Sequence, residues 1–505
     1  MQTDSKNHSG NSGNPMDFVR QLADQAFSRS AGAPLVAGNH MGLLFDSTEN
    51  FPAWETALAG ATDSIFIEMY ILSNDAFGQR MLDILTQKAR EGVKVCLLYD
   101  WLGSWQLALR RGFRALQAAG GEVRAYNPPT LTGGLTLLGR NHRKSIVVDR
   151  KTAFISGLCM SASWQGQPDK GIPPWRDTGL WVSGPLVADA LAAFADSWSS
   201  CGGALDERWL RTALETANNG AVSARLIATT PSTAHMMRLD LLIASFARRT
   251  LWLTDAYFMG TSTYLTALKQ AARDGVDVRL LVPRSSDIRW IATVSRTLFR
   301  PLLEAGVRVF EWNGPMIHAK TAVADGRWAR IGSTNLNLSS WLANREIDVA
   351  IEDENLAGQL AEQFLKDLDN ATEVVLAGAR RRPELTQPRR WRMPSPAEAA
   401  RSGASAAARQ AARIGDALGA VVRGSRTIDA SEASAFLTIG LALLLLATAI
   451  VFFPWLVAGP LVFLLALSGG AITLKALALY RDRKYKKQQL AEGKNTSPPD
   501  EGHTP

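Results

Sequence analysis

Only three of the 505 residues are cysteine, Cys96, Cys159 and Cys201, and they show neither a paired pattern nor a metal-binding spacing. A disulfide framework and a cysteine metal centre are excluded, and the chain suits a reducing cytoplasm. Acidic residues are in deficit, with 47 Asp and Glu against 55 Lys and Arg, for a formal net charge of +8. That balance suits an anionic membrane or a nucleic acid. Residues 1–35 are mostly polar, rich in Ser, Asn and Gly, and read as a disordered segment without a signal peptide.

Charge disappears altogether between Ala435 and Leu474. One membrane span needs only about twenty apolar residues, so this run suffices for two. Pro454-Trp455 and Gly459-Pro460 interrupt it, ending one helix and beginning another. Arg423 and Arg426 precede the run, and Arg481, Arg483, Lys484, Lys486 and Lys487 follow it. The positive-inside rule then keeps both ends in the cytoplasm. A transmembrane hairpin is expected over residues 435–480, with a re-entrant loop as the alternative. Of the 15 tryptophans, Trp101, Trp105 and Trp455 could sit at a membrane boundary, the alternative being the core.

What the chain does have is a motif that occurs twice. His142-Arg-Lys144 with Asp149 returns as His318-Ala-Lys320 with Asp325, at identical spacing. Ser145-Ile-Val-Val148 and Thr321-Ala-Val-Ala324 read as buried strands, which would put each His and Lys on one face. Asp149 and Asp325 complete the motif but fall on the opposite face, where a strand turns, and read as structural. A paired imidazole and ammonium suit a phosphoryl centre: the Lys neutralises non-bridging oxygens, while the His attacks phosphorus or protonates a leaving alkoxide. Two copies allow one nucleophile and one acid/base, with a phosphohistidine between them. No metal and no cofactor are expected.

Ser333 and Asn335 follow His318 by fifteen and seventeen positions, and read as phosphate-binding. The same offsets from His142 give Gly157 and Cys159, so the first copy lacks the amide; Cys159 reads as a small buried residue. Asp177 and Glu346, in Trp175-Arg-Asp177 and Asn344-Arg-Glu346, could orient the histidines or be ordinary ion-paired carboxylates. The duplication extends upstream: Ile65-Phe-Ile-Glu68-Met-Tyr70 matches Leu251-Trp-Leu-Thr-Asp-Ala-Tyr257, and the strand and helix signals that follow also match. Alternating strands and helices predict an α/β fold with mixed sheets, and a site where two lobes meet.

These residues resemble the phospholipase D superfamily, whose signature is the paired H-x-K-x4-D motif. Arg140-Asn-His-Arg-Lys144, Trp175-Arg-Asp-Thr178, Asp255-Ala-Tyr-Phe258, Gly275-Val-Asp-Val-Arg279 and Ile317-His-Ala-Lys320 look like bacterial cardiolipin synthases. The resemblance implies a two-lobed, duplicated fold of α/β/α sandwiches with mixed sheets. It also implies transfer of a phosphatidyl group from one phosphatidylglycerol to the hydroxyl of another, releasing glycerol, with His142 as nucleophile and His318 as acid/base. Anionic phospholipids, phosphatidylglycerol and cardiolipin, are the implied partners at a bacterial cell membrane. Many relatives have Gly-Gly-x-Asn where this chain has Ser156-Gly-Leu-Cys159, and many carry membrane helices ahead of the catalytic region.

The expected organisation is a first lobe over 36–215, a second over 216–378, a basic linker with an Ala-rich helix over 379–434, the hairpin, and a basic disordered tail over 481–505. The linker rests on anionic headgroups or is a solvated tether. Three functions compete: a phosphatidyltransferase; a hydrolase, either a phospholipase D or a nuclease; and a lipid-binding protein with a dead site. A membrane anchor disfavours nucleic acid, and two intact His-Lys pairs disfavour a dead site. The acceptor alcohol and the oligomeric state are left open.

Overall fold

The structure, a computed structural model, describes residues 24–129, 139–210 and 220–376. The linker, hairpin and tail expected beyond residue 378 lie outside the described residues. Among the described residues no helix is long and apolar enough to cross a membrane.

Fifteen strands form one continuous sheet. The first half contributes β1 (Val36–Phe45), β2 (Ser64–Met69), β3 (Lys94–Asp100), β4 (Glu122–Tyr126), β5 (Lys144–Val148), β6 (Thr152–Ser156) and β7 (Thr178–Ser183). The second contributes β8 (Val222–Thr229), β9 (Thr250–Thr254), β10 (Asp277–Pro283), β11 (Arg308–Trp312), β12 (Thr321–Ala324), β13 (Trp328–Gly332), β14 (Glu346–Glu352) and a final β15 (Ala371–Val374). The strand order β1-β7-β6-β5-β2-β3-β4 is repeated as β8-β14-β13-β12-β9-β10-β11, with β15 added at the edge. In each half three strands run parallel and the remainder antiparallel. The mixed sheet agrees with the sequence expectation. The two halves are joined edge to edge, β1 pairing antiparallel with β8.

The core follows this duplication. Helices α1 (Asp46–Ala59) and α2 (Ala76–Arg90) cover the outer face of the first half. In α2, Asp75 caps Gly78 N at 2.9 Å, and Phe77, Met81, Leu82, Leu85 and Ala89 recur at helical spacing on the buried face. Helices α4 (His235–Phe246) and α5 (Ser262–Arg273) cover the second half in the same way. Helices α3 (Leu186–Ser200) and α7 (Glu354–Asp369) pack with strands of both halves in a shared central core. The short helix α6 (Arg289–Thr297) follows β10. Burying both faces explains why β2 is enclosed from end to end and apolar at most positions.

Residues 24–31, expected within a disordered segment, are helical instead. Phe27 packs on Phe246 at 5.3 Å, Ala31 is buried, and Asp24 reaches Arg225 at 2.7 Å. Three apolar or ionic anchors outweigh the polar composition.

Candidate active site

Each motif straddles the start of a strand. β5 begins at Lys144 and β12 at Thr321, so both histidines lie just ahead of the strands rather than on them, contrary to the sequence reading. Their backbones are instead held by the opposite half. His142 N donates to Arg345 O at 2.9 Å, and His318 N donates to Arg176 O at 2.7 Å. Arg345 N and Arg176 N return bonds to Arg140 O and Met316 O, both at 2.9 Å.

The same crossing supplies the carboxylates. His142 Nδ1 lies 2.8 Å from Glu346 Oε2, and His318 Nδ1 lies 2.7 Å from Asp177 Oδ2. Arg176 and Arg345, beside these carboxylates in sequence, are anchored on Asp367 of α7 and Asp196 of α3 respectively. Burial pushes the Asp177 carboxyl up, but the charge and hydrogen bond of His318, with Lys320, outweigh it and hold the group at about 2. Glu346 is likewise held below the usual carboxylate range: His142, Lys144 and the Ser333 hydroxyl outweigh burial. Both imidazoles move down, driven first by burial and opposed by their carboxylates. Ionised carboxylates only accept, so each Nδ1 carries the proton and each Nε2 keeps a lone pair.

The cavity, about 600 Å³, is lined by both histidines, Lys144, Cys159, Asn335, Tyr70 and Tyr257 among others. Lys144 donates to His142 O at 2.6 Å, while Lys320 Nζ bonds His318 O and sits 2.8 Å from both ring nitrogens. Since His318 Nδ1 is already donating, Lys320 can serve only the Nε2 lone pair. Burial lowers the affinity of both ammonium groups for their protons. Such cations are poised to regain stabilisation from an entering anion.

Asn335 is buried in the cavity wall, and its Oδ1 has no hydrogen-bond partner. Its counterpart Cys159 is also buried there, and burial pushes its thiol up. Ser333, expected at the phosphate, is placed elsewhere: its hydroxyl donates to Glu346 at 2.6 Å and accepts from Ile347 N at 2.9 Å. Both roles of the hydroxyl are thus spent on holding Glu346. Asp149 and Asp325 lie past the far ends of β5 and β12, outside the cavity lining. Asp149 accepts from the backbone of Thr62, Asp63 and Ser64, and Asp325 from that of Arg248, Arg249 and Thr250.

Several neighbours escaped the sequence reading. Tyr70 and Tyr257 set their rings 4.8 and 5.8 Å from His142 and His318. They end matching segments of the duplication, so the repeat itself carried that signal. Trp164 donates to Asp177 at 2.9 Å and stands edge-on to His318 at 5.2 Å. Its place in the other copy is taken by Ser340, so no repeat could reveal it. Asn344, which donates to Glu346 at 3.2 Å, was equally silent.

The sequence profile described as "Cardiolipin synthase, PLD-like domain" matches residues 55–164 and 242–368. A cardiolipin synthase of Halalkalibacterium halodurans is 33% identical over 360 residues, 70% of this chain and 71% of the relative. One from Geobacillus sp. is 33% identical over 366 residues, covering 71% and 72%. The phosphatidylserine synthase of Haemophilus influenzae shares the fold, with a TM-score of 0.54 at 15% identity over 70% of this chain and 91% of that one. A duplicated sheet, crossed histidine-carboxylate pairs and relatives at this identity lead to one conclusion: the chain belongs to the phospholipase D superfamily, as a phosphatidyltransferase of the cardiolipin synthase type.

Proposed function

We propose that the chain joins two phosphatidylglycerol molecules into cardiolipin without a metal, through a covalent phosphohistidine. The observation that carries this reading is the pair of crossed histidines, each held at Nδ1 by a carboxylate of the opposite half and both lining one cavity. His142 Nε2 attacks phosphorus of the first lipid; the bond from phosphorus to the glycerol headgroup oxygen breaks, and His318, entering this step protonated at Nε2, gives that oxygen its proton. Glycerol leaves. A headgroup hydroxyl of the second lipid then loses its proton to His318 and attacks phosphorus. The phosphorus–nitrogen bond breaks, and His142 is regenerated. Lys144, Lys320 and the Nδ2 donors of Asn335 bear on the non-bridging oxygens, whose negative charge favours the protonated form of His318. Ser333 acts through Glu346.

The same reading puts the protein at the bacterial cell membrane, its catalytic region on the cytoplasmic side and the 435–480 hairpin as anchor. The test is incubation of purified protein in phosphatidylglycerol bilayers, following cardiolipin and glycerol against phosphatidic acid. Cardiolipin and glycerol in equal amounts support the synthase; phosphatidic acid alone means water is the acceptor and the protein is a hydrolase.

A further inference from the structure

The carboxyl end of β3 leads into an outward surface that the phosphodiester chemistry does not use. Leu102, Trp105 and Leu109 are 53%, 46% and 65% exposed. Trp105 and Leu109 are four apart on the short helix Trp105–Leu109, whose Leu107 faces the core, so they share its outer side. Arg110, Arg111 and Arg114 follow, exposed and forming no ion pair among the described residues. Large apolar groups beside unpaired guanidiniums match the boundary layer of an anionic bilayer, where indole rings and cations both settle.

This surface is fixed to the cavity wall. Ser104 Oγ accepts from Leu72 N at 2.9 Å and reaches Tyr70 O at 3.3 Å, and Tyr70 lines the cavity. A Cβ at Gly103 would come within 2.2 Å of Tyr70 O, so only glycine permits this close approach. Asp100 accepts from Leu102 N and Gly103 N at 3.0 and 3.1 Å, and from Asn141 N, next to His142, at 2.9 Å. In the second half, exposed Ile288 and Val294 follow β10, and Ile288 also lines the cavity. Two arginines there are engaged, Arg296 with Glu311 and Arg300 with Glu304, and Arg284 bonds the Asn313 side chain. The first-half loop groups three exposed arginines, without ion pairs among the described residues, beside its apolar side chains.

We propose that residues 102–114 dock the catalytic region on the membrane. Leu102, Trp105 and Leu109 enter the headgroup boundary of an anionic bilayer, and Arg110, Arg111 and Arg114 contact its phosphates, turning the cavity mouth toward the lipid. The biological sense of this docking rests on the cavity acting on a lipid phosphodiester; its physical test does not.

Full-length protein carrying Cys201→Ser and Leu109→Cys, labelled with an environment-sensitive dye, is reconstituted in phosphatidylglycerol–phosphatidylcholine vesicles and in phosphatidylcholine vesicles. A second label at Glu91→Cys, at the opposite end of β3, is the control. The expected result is a blue shift and roughly threefold brighter emission at 109 in anionic vesicles only, with no change at 91. Equal emission at 109 in both vesicles, or the same shift at 91, overturns the proposal. In parallel, the triple variant Leu102→Ser, Trp105→Ser, Leu109→Ser should lose on the order of tenfold in turnover of vesicle phosphatidylglycerol and keep its turnover of monomeric short-chain phosphatidylglycerol. Equal loss on both substrates also overturns it. If the unsubstituted protein turns over neither substrate, the synthase reading fails, while the dye still decides the docking.

Discussion

The two halves of the site share a plan and differ in detail. His142 is held by Glu346, which is itself held by Ser333 and Asn344, both through hydrogen bonds. His318 is held by Asp177, supported by Trp164 and by Thr178 N, and its ring is flanked by Trp164, Trp175 and Tyr257. The first arrangement is a polar relay and the second an aromatic box. Because each carboxylate comes from the half opposite its histidine, neither half is a site alone. On the proposed mechanism, duplication provides two chemical roles within one centre, and divergence of the neighbours lets the roles separate.

Removing either imidazole should break that comparison most severely. His142→Ala and His318→Ala are each expected to lose on the order of 10⁴-fold or more in kcat, in keeping with the loss of a nucleophile or its base. If the roles are divided as proposed, only His318→Ala, given a phosphatidyl ester whose leaving group needs no acid, such as a p-nitrophenol ester, accumulates a lipid covalently bound through His142, which acid-quenched mass spectrometry would detect. A trapped adduct in His142→Ala would reverse the assignment, and turnover in either variant would count against two histidines. In the unsubstituted protein, burial lowers the His142 pKa from 6.5. A nucleophile must be neutral, so the acidic limb of kcat/KM should fall below pH 6.5.

The orienting carboxylates come next. Asp177→Asn and Glu346→Gln should each reduce kcat by roughly 10²- to 10⁴-fold, since an amide can stabilise the wrong tautomer. The two need not be equal. Glu346 is tied to Ser333, so Ser333→Ala should share part of the Glu346→Gln defect and none of the Asp177→Asn defect. A double variant, Ser333→Ala with Glu346→Gln, would then lose less than the product of the two single losses.

The amide and the thiol give a smaller and sharper contrast. Asn335→Ala should cost on the order of 10²-fold if its amide serves the transferring phosphate, whereas Cys159→Ala should stay within a few-fold. Equal losses would mean that the two copies bind phosphate symmetrically despite the missing amide.

How much of this was legible in sequence depends on the kind of signal. The repeated motif, the strands after it and the mixed sheet follow from local patterns of two and three residues, so they could be read directly. The single continuous sheet could not, because the β1–β8 pairing joins edges whose own sequences look like any half-buried strand. The crossing of Asp177 and Glu346 was hidden for a related reason. Both stand downstream of their own motif, and sequence order suggests a partner within the same half. Ser333 was misread as facing phosphate because its spacing identifies a strand end but not the direction of a hydroxyl. Trp164 and Asn344 have no repeat counterpart of like chemistry, and only packing brings them to the site.

The mildest effects lie at the motif's final aspartates, where the two halves should respond alike in turnover. Asp149 has φ of 53° and Asp325 of 54°, a backbone region that Asp tolerates better than most residues. Each carboxylate gathers three successive N–H groups that would otherwise lack partners at a strand start. Replacement by Ala should therefore cost roughly 1–3 kcal/mol in either copy, seen as a lower Tm, with kcat of the folded enzyme unchanged. Burial pushes the Asp149 carboxyl up, but backbone hydrogen bonds from Ser64, Asp63 and Thr62 together outweigh it and hold the group below its ordinary 3.8. A depressed carboxylate contributes its stability above the unfolded pKa and loses it as pH falls through the folded one. Asp149→Asn should accordingly narrow its gap to the unsubstituted protein only below about pH 4, in denaturant titrations run at a series of pH values. A gap that instead closes near neutrality would mean that Asp149 acts through a group titrating there, and would return this residue from the scaffold to the chemistry.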